Sequence, residues 1–189
     1  ADPQVTGRLT AIMKKINLED GSEARGQRAV LVSAVPNYLV DFEFNRFKSF
    51  DGAISAPMTI TPTAGRDSST LDVPIFNPLN NTYIPAGATH FRIINAIAVI
   101  SDYAYNPTTK VYEATDPTLD KLSAVAFSDY LPVNALTTVQ SIVATLPGTP
   151  TMTASVSVLN AVGIEFYQEV NGNYYKFNQG NAMKIKQIF

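Results

Sequence analysis

The chain has 189 residues, with 14 Lys+Arg against 16 Asp+Glu, one His and no Cys. That length fits one domain or two small ones. The 46% hydrophobic content is that of a globular protein rather than a disordered one. Without cysteine there is no disulfide framework, thiolate zinc site, iron–sulfur cluster or thiol nucleophile. A single histidine rules out multi-histidine metal sites.

Charged residues make up only 16%, below the ~25% usual in soluble domains. The polar surface must therefore come largely from Thr, Ser and Asn, numbering 18, 12 and 14. Such a surface is associated with extracellular, surface-layer and virion proteins, so an extracellular or cell-surface location is expected. A net charge of −2 gives no long-range steering toward nucleic acid or an anionic membrane. No run of 18 apolar residues is present, so membrane insertion by a helix is not expected. Ala1-Asp2-Pro3-Gln4 is not a signal peptide and reads as a mature end left by cleavage or as an expression scar.

Leu9, Ile12, Met13 and Ile16 stand at i, i+3, i+4 and i+7 and predict a short helix over 8–18. Thr6 is its expected N-cap, and a turn follows over Glu19–Glu23. From residue 29 the period becomes two. Val40, Phe42 and Phe44 alternate with Asp41, Glu43 and Asn45, which predicts a half-buried strand. Met58 and Ile60 predict a second strand, and Leu71, Val73 and Ile75 a third, with Pro74 marking its edge or end. Asn77 to Gly87 is loop. Thr89–Tyr103 is the longest apolar strand candidate, with Phe91, Ile93, Ile97 and Val99 on one face. Its other face is apolar in the middle too, as in a central strand.

The polar stretch 104–120 has room for a short strand at Lys110–Glu113. Further strands are expected at Ser123–Leu131, Thr137–Leu146, Thr151–Leu159 and Gly163–Val170, with a break at Leu146–Pro150. Asn171-Gly172 is a type I′ turn sequence. It pairs Phe166 with Phe177 and Gln168 with Tyr175 on one face, and Tyr167 with Lys176 and Glu169 with Tyr174 on the other, an aromatic pair inside and charge outside. Ala182–Phe189 forms a last strand. Eight to ten such strands, without alternating long helices, predict an all-β fold: an antiparallel β-sandwich, Ig-like or jelly-roll-like, over 29–189. Residues 1–28 form an N-terminal segment packed on it.

Candidate chemistry is sparse. His90 has no G-x-S-x-G elbow to serve and reads as a rim histidine. Asp41 and Glu43 would lie ~7 Å apart on one strand face, in reach of glycosidase-type spacing, but alternating acids also suit a solvent face. Glu165 and Glu169 read the same way. Asp116 with Asp120, and Glu19, Asp20 and Glu23, are solvated turns rather than a calcium loop of the D-x-D-x-D-G type. Arg25 and Arg28 are expected in local ion pairs with those acids. Asn80-Asn81-Thr82 is a formal glycosylation sequon. Tyr103, Tyr105 and Tyr112, with Tyr83 in another loop, are the candidate ligand or partner contacts, since exposed tyrosines stack on sugars and anchor protein partners.

Three stretches, Gly26-Gln27-Arg28, Pro85 to Arg92 and Gly163 to Gly172, resemble segments of small bacterial β-rich proteins with no assigned activity. The resemblance transfers no functional residue. The sequence therefore predicts a non-enzymatic structural or interaction protein, a subunit of a surface or extracellular assembly, without cofactor. Its expected partner is protein, self-association included. The alternative is a carbohydrate- or small-ligand-binding module, and nucleic acid is not an expected partner.

Overall fold

In a computed structural model describing residues 2–189, the chain is mostly β, with 39% of residues in strands and 14% in helices. The first element, α1 (Val5–Glu19), is the predicted helix with a longer N-terminal turn. Its apolar stripe, Val5, Leu9, Ile12, Met13 and the fully buried Ile16, packs on Ala161, Leu159 and Ile185. Thr6 lies inside the helix and is not its N-cap; Gln4 takes that position without a side-chain cap bond. The early start is held by Asp2, whose carboxylate accepts the Gln4 N–H at 2.9 Å and the Arg8 guanidinium at 2.7 Å. Asp20 ends the helix and accepts the backbone N–H groups of Ser22 and Ala29 at 2.9 and 2.7 Å.

The strand expected at Val40–Phe44 does not form. Asp41 sits at φ 63°, a left-handed conformation that an extended run cannot contain. The alternation nevertheless reports burial, since Phe42 and Phe44 pack in the same cluster with their rings edge to face at 5.4 Å. The helical turn α2 (Phe50–Ala53) follows, capped by the Ser49 side chain.

The strands are β1 (Thr59–Pro62), β2 (Ser68–Val73), β3 (His90–Ser101), β4 (Tyr103–Asn106), β5 (Val111–Ala114), β6 (Ser123–Phe127), β7 (Leu131–Pro132), β8 (Gln140–Thr145), β9 (Val156–Val170), β10 (Asn173–Lys176) and β11 (Ala182–Ile188). A short helix, α3 (Pro78–Asn81), interrupts the 77–87 loop. All pairings are antiparallel. One sheet runs β1-β2-β8. The larger runs β10-β9-β3-β6, with β11 also on β9 and β7 also on β3; β4 and β5 form a separate hairpin.

Two sequence expectations change here. The strands expected at 151–159 and 163–170 merge into one from Val156, because the Asn160 side chain is held by Asn95 and Ser69 instead of turning the chain, and residues 160–162 pair with β3 throughout. The strand expected at 123–131 is split at Ser128, whose Oγ accepts the Ile93 N–H at 2.9 Å while its own N–H reaches Ile93 O. The Asn171-Gly172 hairpin forms as expected. Both residues have positive φ, and the register is the predicted one.

The sheets curl toward each other as a half-barrel. Leu71, Val73 and Ile142 of the small sheet meet Phe91, Ile93, Ile164 and Phe166 of the large one, and Ala144 and Leu146 meet Ile97, Val99 and Val158. The other face of the large sheet carries α1 over its Ala96–Ile100 end. Toward its His90 end the start of the helix reaches only as far as the groove that Val5 and Asp2 share with Ile94. Along its border, β11 is covered by residues 41–44: the Asp41 and Phe44 N–H groups bond to Ile185 O and Met183 O, and Ile185 N–H to Phe42 O. The adjoining β10 has no such cover among the described residues, and all four of its residues are exposed. A two-residue turn closed by the Val170–Asn173 pair directs the main-chain groups of Tyr174 and Lys176 away from β9.

The face of β3 read as apolar includes Asn95, fully buried between the sheets. Its Nδ2 donates to Ser69 O at 2.9 Å and Ile142 O at 2.8 Å, both on the opposite sheet. Its Oδ1 accepts from Asn160 Nδ2 at 2.7 Å, and Asn160 Oδ1 accepts from the Ser69 hydroxyl. Removing one member leaves buried groups without partners. Asn95→Ala is expected to lose about 2–3 kcal/mol of stability in urea unfolding, and a loss under ~0.5 kcal/mol would contradict this role.

Candidate functional site

Three of the four tyrosines singled out in the sequence come together on the β4–β5 hairpin. The register places Tyr105 opposite Tyr112, and their rings meet edge to face at 5.7 Å. Tyr103 is joined to Val30 by paired backbone bonds of 2.8 and 3.0 Å, and its hydroxyl donates to Asp120. That hydrogen bond, with burial and the Asp120 charge, pushes the Tyr103 pKa up to about 12. Asp120 also accepts the Ser101 N–H at 3.0 Å. Tyr112 reaches Gly26 O at 3.3 Å. An apolar cavity of about 260 Å³ lies between Tyr103, Tyr112, Met13, Val30, Val32 and Ile100. Tyr83 is placed elsewhere: it bonds to Ala53 O through its N–H, its ring lies under the Lys48 ammonium at 3.7 Å, and it is 65% exposed.

The acids serve local structure. Asp41 and Glu43 share no strand face; Asp41 instead joins Asp51 on Lys184, at 3.1 and 2.5 Å from its Nζ. Burial of Lys184 works against its charge, but the two carboxylates outweigh it and raise its pKa. Glu43 accepts the Phe50 N–H at 3.0 Å, and burial raises its pKa. Asp116 accepts from Thr118 and Leu119, and Glu169 from Gly172, each closing its own turn. The ion pairs expected of Arg25 and Arg28 are not made among the described residues, because Asp20 turns to backbone N–H groups instead. His90 Nδ1 lies 3.0 Å from the Thr89 hydroxyl, and its ring meets Tyr174 edge to face at 5.0 Å. Among the described residues, no group of three or more His, Cys, Asp or Glu is placed to hold a metal.

Sequence reasoning missed the main aromatic feature. At the His90 end of the large sheet, on the face α1 leaves open, planar groups stack in a column. The Arg92 guanidinium lies 4.5 Å from the Phe127 ring centre and 4.7 Å from that of Tyr130. Tyr130 stacks on Tyr174 at 3.8 Å and 4°. A parallel ring that close fills one face of Tyr130, so the order is Phe127, Arg92, Tyr130, Tyr174. Tyr167 supports Tyr130 edge to face at 5.0 Å, and its hydroxyl donates to Glu165 at 2.7 Å. Glu165 also pairs with Lys176. Tyr167, expected on the solvent side with the charges, is buried beneath this column. The four groups come from β6, β3, the β6–β7 connection and β10, so only the strand order unites them. Beside them lies a groove of about 550 Å³ bordered by Glu165, Lys176, Ile94, Phe44, Phe177 and Met183.

Compared with known proteins, the chain matches no family model, no curated protein and no solved structure. The Tyr103–Asp120 bond gives a pH signature. An unfolded tyrosine ionises near 10.0 and the folded one near 12, so this group's stabilisation is complete below pH 10 and is lost as pH rises toward 12. Tyr103→Phe is expected to remove that part of the alkaline destabilisation, read from urea midpoints across the same range.

Proposed function

We propose that this chain is a non-catalytic interaction protein: a subunit, built on a β-sandwich-type scaffold, that associates with copies of itself in a surface or extracellular assembly. The observation that carries the reading is the contrast along one border of the large sheet. Residues 41–44 cover β11 with backbone hydrogen bonds, whereas β10 next to it is exposed throughout. An uncovered strand edge is a template for another strand. Tyr174 and Lys176 direct their main-chain groups there, and Val170, Tyr174 and Tyr175 beside them are 43%, 39% and 59% exposed. A chain with only 16% charged residues and a net charge of −2 opposes such contacts with little like-charge repulsion. His90, engaged by Thr89 and Tyr174, fits a structural role better than that of a base.

A second reading, a carbohydrate- or small-ligand-binding module, has one observation in its favour: the apolar cavity between Tyr103 and Tyr112. It is weakened because both hydroxyls already bond within the chain. Light scattering separates the two. Self-association is expected at micromolar concentration, and Lys176→Pro, which removes one edge N–H outside the hairpin's own bonds, is expected to weaken it about tenfold. A strict monomer up to ~100 µM, above the affinities usual for weak specific interfaces, would refute the assembly reading.

A further inference from the structure

On the outer face of the large sheet, we infer a binding site for a carboxylate carrying an apolar substituent, with Arg92 as its anchor and the groove beside Ile94 as its pocket. Two rings lie against the guanidinium, with Cζ 4.5 Å from the Phe127 centre and 4.7 Å from that of Tyr130. Nε donates to Ser128 O at 2.9 Å and adds a third point of attachment. The Nη donors remain. They have no protein acceptor among the described residues, and Arg92 has no carboxylate partner although Glu165 stands opposite it in register. An anion meets these free donors along the Nη edge of the guanidinium. That is the geometry of a bidentate carboxylate. A group held this rigidly loses little freedom on binding.

Charge selects among anions. Lys176 and Glu165 neutralise each other, which leaves Arg92 as one net positive charge and suits a monoanion better than a phosphate dianion. The substituent is set by the neighbouring surface. Ile94 is the next residue on the same face of β3, ~6.8 Å along, and it borders the groove with Phe44, Phe177 and Met183. A carboxylate on Arg92 therefore directs an aliphatic side chain toward the Ile94, Phe44, Phe177 and Met183 side of a groove that also carries polar residues, among them Asp2, Asn45 and Asn181. A peptide C-terminus and a small organic acid share this chemistry.

The test is an NMR titration of the full chain at low ionic strength with N-acetyl-leucine, its amide, acetyl-Gly-Gly-Leu and inorganic phosphate. N-acetyl-leucine is expected to shift the Arg92 Nε, Phe127 and Tyr130 signals with a Kd of about 1–10 mM, in line with the efficiency of small ligands. The amide is expected to leave them in place, and phosphate to act at least several-fold more weakly. Tighter binding of the tripeptide identifies a peptide terminus as the source, and equal binding a small acid. Arg92→Gln is expected to weaken the acid about tenfold or more. Arg92→Lys keeps the charge but not the fork and is expected to weaken it several-fold, and it carries the test if Arg92→Gln loses the folded spectrum. Equal shifts from acid and amide, equal binding of phosphate, affinity unchanged in both variants, or no shift at about 50 mM acid would each overturn the assignment.

Discussion

The relation between the two sheets depends on a polar contact placed where an apolar one is usual. Most of the surface between β2/β8 and β3/β9 is aliphatic and aromatic, and aliphatic contact alone tolerates sliding. Asn95, Asn160 and Ser69, each fully buried, do not. Their amide and hydroxyl groups have partners only when Asn95 faces the carbonyls of Ser69 and Ile142. A shifted alignment leaves buried donors and acceptors unpaired, at a cost of about 1–3 kcal/mol each. The network thus fixes one alignment of the sheets, and with it the positions of β3 and β9, which carry most of the outer-face features described above.

How much of this was legible in the sequence varies with the physical range of the interaction. The Asn171-Gly172 hairpin was readable to the residue, because a local turn requirement and a local alternation agree on one register. The helix stripe was readable for the same reason, though its start was not. Asp2 bonds to Gln4 and Arg8 and so adds a turn that propensity does not announce. At Val40–Phe44 the period reported burial correctly and conformation wrongly, since one left-handed residue, Asp41, breaks the strand without disturbing the side-chain alternation.

The sites follow the same division. Tyr103, Tyr105 and Tyr112 are close in sequence and meet on a hairpin, so composition alone brought them together; Tyr83 is remote from them and stays apart. Phe127, Arg92, Tyr130 and Tyr174 are scattered over some eighty positions, and strand order alone aligns them. The one advance signal was the polar residue Arg92 on the less apolar face of the predicted central strand. Asn95 gave a similar signal, a polar side chain in an otherwise apolar row.

The cover that residues 41–44 place on β11 has a dynamic consequence. It is secured by three backbone hydrogen bonds, by Lys184, which holds Asp41 on one side and Asp51 on the other, by the Arg8 guanidinium on Glu43 O, and by the burial of Phe42. Lifting it therefore costs a core side chain as well as its hydrogen bonds, which makes it a cooperative opening rather than fraying. Such an opening frees the Ile185 N–H and the Ile185 and Met183 carbonyls, in line with the outward groups of β10. The length of strand border offered to solvent is thus governed by the same packing that keeps Phe42 in the core.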